Sequence, residues 1–202
     1  MSSTTKVILT SCDDKTCDGK SCRGKSFEID KALARKSMMI TQAMDEHGAG
    51  NVFPLHNVDS NMLGMVVLYM EYYHHYEILS LSIDRDFDDL YGRKTKFAVD
   101  ADAAAAAAVA AAADADRAFG EVQFKRSAAK VEFKNWEATF VMVDRDTLFG
   151  FIRAADYLDI PRLLALSKKA FFDRFSWDIE IPDDISVIFD NMFESGISYD
   201  LD

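Results

Sequence analysis

The chain is poor in the residues that punctuate or cross-link a protein. Of 202 residues, nine are Gly, three Pro, three Cys and two Trp. Three Cys cannot all pair within the chain, and the expectation is reduced thiols in a nuclear or cytoplasmic setting. The glycines do not cluster. There is no Walker A loop, no G-x-G-x-x-G and no G-x-S-x-G elbow. Bases are scarce, 23 against 34 acids, for a formal net charge of −11. Nucleic-acid affinity comes largely from neutralising phosphates, so neither a nucleic acid nor an anionic membrane is an expected partner. No apolar run reaches the roughly 20 residues that span a bilayer. The first fourteen residues lack a basic segment followed by an apolar one, so no signal peptide is expected.

What is present is unevenly distributed. Residues 101–116 hold twelve Ala and almost no large side chain, which reads as helical or frayed sequence outside the core. Residues 176–202 hold eight acids and no base, together with Trp177, Ile185, Val187, Phe189, Met192 and Phe193. A solvated tail would not carry so many apolar groups, so this segment packs on something, in this chain or in a partner.

Periodicity predicts the elements. Lys6–Thr10 and Ser26–Asp30 form a hairpin around a tandem repeat with Cys12, Cys17 and Cys22 at equivalent positions. Zinc wants four ligands, and the repeat itself explains the Cys spacing, so no metal site is expected. Asp30 and Ser37 are placed to cap two short helices, the second ending at His47–Gly48. Asn51–Leu55 reads as an edge strand, because Pro54 cannot donate to a central ladder. Ser60 is placed to cap a helix with Met62, Met65, Val66, Tyr69, Met70 and Tyr73 facing the core, and His74 and His75 at its end. Glu121–Lys125, Lys130–Lys134 and Thr139–Val143 read as strands. Asp144 or Asp146 caps a helix rich in Leu148, Phe149, Phe151, Ile152, Ala155 and Leu158, and Pro161 opens the next.

No constellation carries catalysis. Asp84–Asp89 begins like a calcium loop but has Asp89 where Gly is needed and Thr95 where a bidentate Glu belongs. Glu71 and His74 make one Glu-x-x-His, where a di-iron bundle needs two. No nucleophile has a base partner at a diagnostic spacing, and no cofactor is called for.

Several motifs occur in a specific order. They are Gly24-Lys25-Ser26-Phe27-Glu28-Ile29, Ala34-x-x-Ser37, Pro54-Leu55-His56-Asn57-Val58, Trp136-Glu137-x-x-Phe140, Thr147-Leu148-Phe149, Ala154-Ala155-Asp156-Tyr157-Leu158-Asp159-Ile160 and Leu163-Leu164-Ala165-Leu166-Ser167. Together they resemble the S-phase kinase-associated (Skp-type) adaptor family, whose plant members often carry an Ala- and Asp-rich tract before the Trp motif. The resemblance implies an α/β (α+β) BTB/POZ fold divided into an N-terminal half 1–76, an insertion 77–133, a C-terminal half 134–175 and a degenerate helical extension 176–202. It implies a non-enzymatic adaptor joining a cullin to F-box proteins in an SCF-type ubiquitin ligase, in the nucleus and cytoplasm. Asp156 and Tyr157 fall in the turn that faces the cullin, with Asp156 where the family has Asn. Leu164, Phe171, Phe172, Phe175, Ile185 and Phe189 fall on the F-box side, where an intramolecular core is the competing reading. Pro182-Asp183-Asp184-Ile185 is a degenerate form of the family's P-E-E-I, and the family's last helix with its terminal Trp has no counterpart. The alternatives are a BTB module that has lost F-box binding and associates with itself or another partner, and a small enzyme.

Overall fold

The computed structural model describes residues 6–13, 24–48, 52–99, 105–175 and 181–195. Most of the loop repeat, including Cys17 and Cys22, and residues 176–180 with Trp177 lie outside them. The described chain is mostly helical, with one small mixed sheet. Its elements are β1 (Lys6–Ser11), β2 (Ser26–Asp30), α1 (Lys31–Ala34), α2 (Met38–His47), β3 (Val52–Leu55), α3 (Ser60–Val99), α4 (Ala105–Phe140), α5 (Arg145–Tyr157), α6 (Pro161–Arg174) and α7 (Asp183–Ser195). They form two compact units, one from Met1–Tyr72 with Ala138–Asp202, the other from Tyr73–Glu137.

In the first unit the strand order is β2-β1-β3. β1 pairs antiparallel with β2, placing Val7 opposite Ile29, and parallel with β3, placing Leu9 opposite Phe53. Pro54 sits on the edge strand, where its missing donor costs no ladder bond. Alternation puts Val7, Leu9, Ile29, Phe53 and Leu55 in the core. The hairpin closes at Ser11 and Lys25, which exchange bonds through Ser11 N–H to the Lys25 carbonyl (3.0 Å) and Lys25 N–H to Ser11 Oγ (2.9 Å). Gly24 is obligatory here, because a Cβ would lie 1.9 Å from the Ser11 carbonyl oxygen. Cys12 is disulfide-bonded, contrary to the expectation of reduced thiols.

Other expectations are met or displaced by backbone chemistry. Ser37 caps α2, its Oγ accepting from Ile40 N–H (3.1 Å), and Gly48 ends that helix at φ 86°. Asp30 precedes α1 in extended geometry but makes no side-chain cap. Asp59, not Ser60, caps α3, its carboxylate accepting from the Asn61 and Met62 N–H groups at 2.9 Å each. The buried stripe of α3 is Leu63, Val66, Val67, Tyr69 and Met70, with Met62 and Met65 only half-buried.

The largest departures lie between Tyr73 and Val143. α3 does not stop at His74 and His75 but continues to Val99. The segments read as strands at Glu121–Lys125 and Lys130–Lys134 are turns of α4, and Thr139–Val143 is the end of α4 followed by a turn. On a helix, residues two apart point to opposite sides, and here one member of each apolar pair (Val122, Phe133) is covered while the other (Phe124, Val131) is exposed. That cover is visible in the second unit. Phe133 stacks on Tyr76 at 4.1 Å between centroids and 7° between planes, and Phe87 lies 4.7 Å from Phe119. Arg126 pairs with Asp84 at 3.2 Å. The run Asp84–Asp89 is therefore helix and not a loop.

Candidate functional site

The C-terminal helices build two neighbouring features, a turn and an aromatic face. α5 begins at Asp144, whose carboxylate accepts from Thr147 N–H (2.9 Å) and Thr147 Oγ1 (2.6 Å). Those bonds hold the Asp144 carboxyl below its usual range. Leu148, Phe151, Ile152, Ala155 and Leu158 are buried along the helix, as their spacing predicts.

The turn that ends α5 explains its own sequence. Asp159 has φ 48°, in the left-handed region that Asp and Asn tolerate better than other non-glycine residues. The Ile160 N–H then reaches back to the Ala155 carbonyl (2.9 Å), closing the helix end. The turn is also tied to the break between α1 and α2. Ser37 Oγ donates to the Leu158 carbonyl, and Met38 N–H donates to that of Asp159 (3.1 Å). The turn is thus a fixed platform presenting exposed Asp156 and half-buried Tyr157. Asp156 is at the surface, yet crowding by protein strips enough solvent to raise its carboxyl. Asp159 adds to the rise and Lys168 opposes it.

The aromatic face joins α6 to α7. Pro161 occupies the first turn of α6. The helix buries Leu163, Leu166, Ala170 and Phe171 together with Ser167 and Lys168, so it is covered on more than one side. α7 provides part of that cover. Phe189 lies 5.5 Å from Phe171 and 5.0 Å from Phe172, and Phe171 in turn contacts Phe149 (5.3 Å) and Phe175 (5.5 Å). Three charged contacts complete the arrangement. Lys168 Nζ donates to the Ile188 carbonyl at 2.9 Å and lies 5.9 Å from the Phe189 ring. Arg153 grips Asp184 with two donors, drawing the Asp184 carboxyl below its usual range. Arg174 donates to the carbonyls of Val141 (2.8 Å) and Val143 (2.6 Å), fixing the turn after α4. Burial lowers the Lys168 ammonium, with Asp156 opposing.

Each residue singled out from sequence has a definite place. Asp156 and Tyr157 share the turn. Phe171, Ile185 and Phe189 are buried, at 1%, 0% and 4% exposure, so Ile185 and Phe189 of the acidic segment pack within this chain, while Val187 is exposed. Leu164, Phe172 and Phe175 are half-buried and border the same face. Sequence reasoning missed Arg153–Asp184, Lys168–Ile188 and Ser37–Leu158, because these join positions far apart in the chain with no local signal. Among the described residues, no cluster of three or more His, Cys, Asp or Glu could hold a metal ion.

Comparison with known proteins bears on this arrangement. A family profile described as "Skp1 family, tetramerisation domain" matches residues 20–75. SKP1-like protein 4 of Arabidopsis thaliana is 33% identical over 174 residues, 86% of this chain and 78% of that protein. The chain belongs to the Skp1 family. SKP1-like protein 3 of Arabidopsis thaliana is 30% identical over the same shares, and SKP1-like protein 1 of Oryza sativa subsp. japonica is 33% identical over 73% of this chain and 68% of that protein. The small mixed sheet with surrounding helices is the α/β POZ-type fold of that family. The Skp1-family matches extend well beyond the sheet, over most of the chain.

Proposed function

We propose that this chain is a non-enzymatic adaptor that bridges a cullin scaffold and F-box proteins in an SCF-type ubiquitin ligase. The observation that carries the reading is Skp1-family similarity extending over 86% of the chain. The α5–α6 turn supplies the cullin side, with Tyr157 as the anchor and Asp156 beside it. A half-buried Tyr on a rigid turn suits that role, because little ordering entropy is lost on binding. The α6–α7 face supplies the F-box side. Leu164, Phe172 and Phe175 are its accessible members, while Phe171, Ile185 and Phe189 form the packed floor beneath them. The adaptor acts in the nucleus and cytoplasm, and its part in protein ubiquitination is to hold two partners without catalysis.

One observation favours a second reading. α7 already covers much of the aromatic face from within the chain, which fits a POZ module that has given up F-box binding and associates with itself or another partner.

A pull-down separates the two. The purified chain is offered a cullin N-terminal domain and an F-box domain, alone and together. The adaptor forms a ternary complex. Tyr157→Ala weakens the cullin arm and Phe172→Ala the F-box arm, each by about tenfold or more. Cullin binding without F-box binding supports the second reading. Binding to neither by folded protein would sink the adaptor.

A further inference from the structure

A separate surface lies on α4, within the Tyr73–Glu137 unit. One side of this helix is spent on α3, where Val122 and Phe133 are buried. The other side is open. Phe124, Ala128 and Val131 are spaced i, i+4 and i+7, which sets them in one line along a helix. Phe124 is 75% exposed and Val131 58%. Gly120 extends the same line one turn earlier, and a Cβ placed there meets nothing within 4 Å. The stripe thus has a large aromatic between small residues, a relief into which another helix can settle closely.

Its charge is unlike the rest of the chain. Residues 117–134 carry five bases and two acids, within a protein of net charge −11. Arg117 and Arg126 are paired with Asp114 and Asp84. Exposed Lys130 and Lys134 flank the apolar stripe on one side and make no ion pair among the described residues, while exposed Glu121, Lys125 and Glu132 lie on its other side. An exposed apolar line with an uncompensated basic flank is complementary to an apolar helix with acids along one edge. The net charge of the chain disfavours an anionic membrane.

We propose that the outer face of α4 docks an acidic amphipathic helix of a partner protein, with Phe124 and Val131 as apolar anchors and Lys130 and Lys134 reading the acidic edge. The proposal is independent of the cullin and F-box reading. The test uses the full chain and a synthetic helical peptide with Leu at heptad positions a and d, Glu at e and Gln at g. A counterpart with Lys in place of Glu controls for sign, and binding is read by fluorescence anisotropy. The acidic peptide binds saturably and loses affinity with added salt, and the Lys peptide binds at least about tenfold more weakly. Phe124→Ser with Val131→Ser lowers affinity for the acidic peptide by about tenfold or more. Lys130→Glu with Lys134→Glu reverses the preference between the peptides. All four positions are exposed, so circular dichroism of each variant matches the parent. Any of four results would overturn the proposal: no saturable binding, binding indifferent to both double substitutions, self-association abolished by Phe124→Ser, or a face-dependent preference for phosphatidylserine vesicles over the peptide.

Discussion

Ser37 carries two tasks with one hydroxyl. It accepts from Ile40 N–H to start α2 and donates to the Leu158 carbonyl at the end of α5, and it is fully buried. Ser37→Ala removes the cap and strands a carbonyl. The expected cost is about 1–3 kcal/mol, measured as a lower midpoint in urea unfolding with unchanged slope. Thr at the same site, which keeps the hydroxyl, recovers part of the loss. The turn that Ser37 clamps holds Asp156 and Tyr157, so Ser37→Ala also loosens the proposed cullin side without touching it. At Asp159 the side chain matters less than the backbone, since a positive φ selects Asp, Asn or Gly and penalises a β-branched replacement.

At the scale of elements, α7 is the piece whose docking is most open to test. It is held by Ile185 and Phe189 on the apolar side and by Asp184 and the Ile188 carbonyl on the polar side. The hydrogen bond from Arg153 lowers the Asp184 carboxyl in the folded chain. A depressed carboxyl contributes stability above its unfolded value, about 3.9, and loses it as pH falls through the native value. Protection of the α7 amides against hydrogen exchange, taken relative to the intrinsic rate at each pH, therefore falls below about pH 4, ahead of global unfolding. Asp184→Asn has faster exchange near neutrality and a flatter dependence on acid. If the two proteins share one acid profile, the Arg153–Asp184 contact does not hold the helix.

Across the whole molecule, two compact units divide the chain, and each has its own aromatic centre. In one, Phe151 and Phe171 are fully buried. In the other, Phe133 packs among Tyr73, Tyr76 and Trp136. Chains with separate cores depart from two-state unfolding. Phe133→Ala is expected to destabilise the Tyr73–Glu137 unit by about 3–5 kcal/mol, following the usual cost of emptying a buried aromatic site. The check is a denaturant melt followed by Trp136 fluorescence in a Trp177→Phe background. The variant shifts that signal strongly and shifts the unfolding of α5–α6, read by hydrogen exchange, much less. Equal shifts in both would mean a single cooperative core.

Elements governed by neighbours in sequence were readable from sequence alone. The β1–β2 hairpin, the edge position of Pro54, the Ser37 and Asp144 caps, Gly48 at a helix end and Pro161 at a helix start each follow from one residue's backbone chemistry. The motifs from Gly24 to Ser167 carried the family resemblance for the same reason, since each is a short local pattern. What the sequence could not decide was which surfaces meet. Glu121–Lys125 and Lys130–Lys134 each alternate like a strand, yet both are turns of α4, with Val122 and Phe133 buried and Phe124 and Val131 exposed. Phe171 and Phe189 could have been partner contacts or core, and α7 folding over α6 made them core. Arg153–Asp184 and Lys168–Ile188 exist only because α7 returns to α5 and α6, since a hydrogen bond between distant positions leaves no periodic trace in the chain.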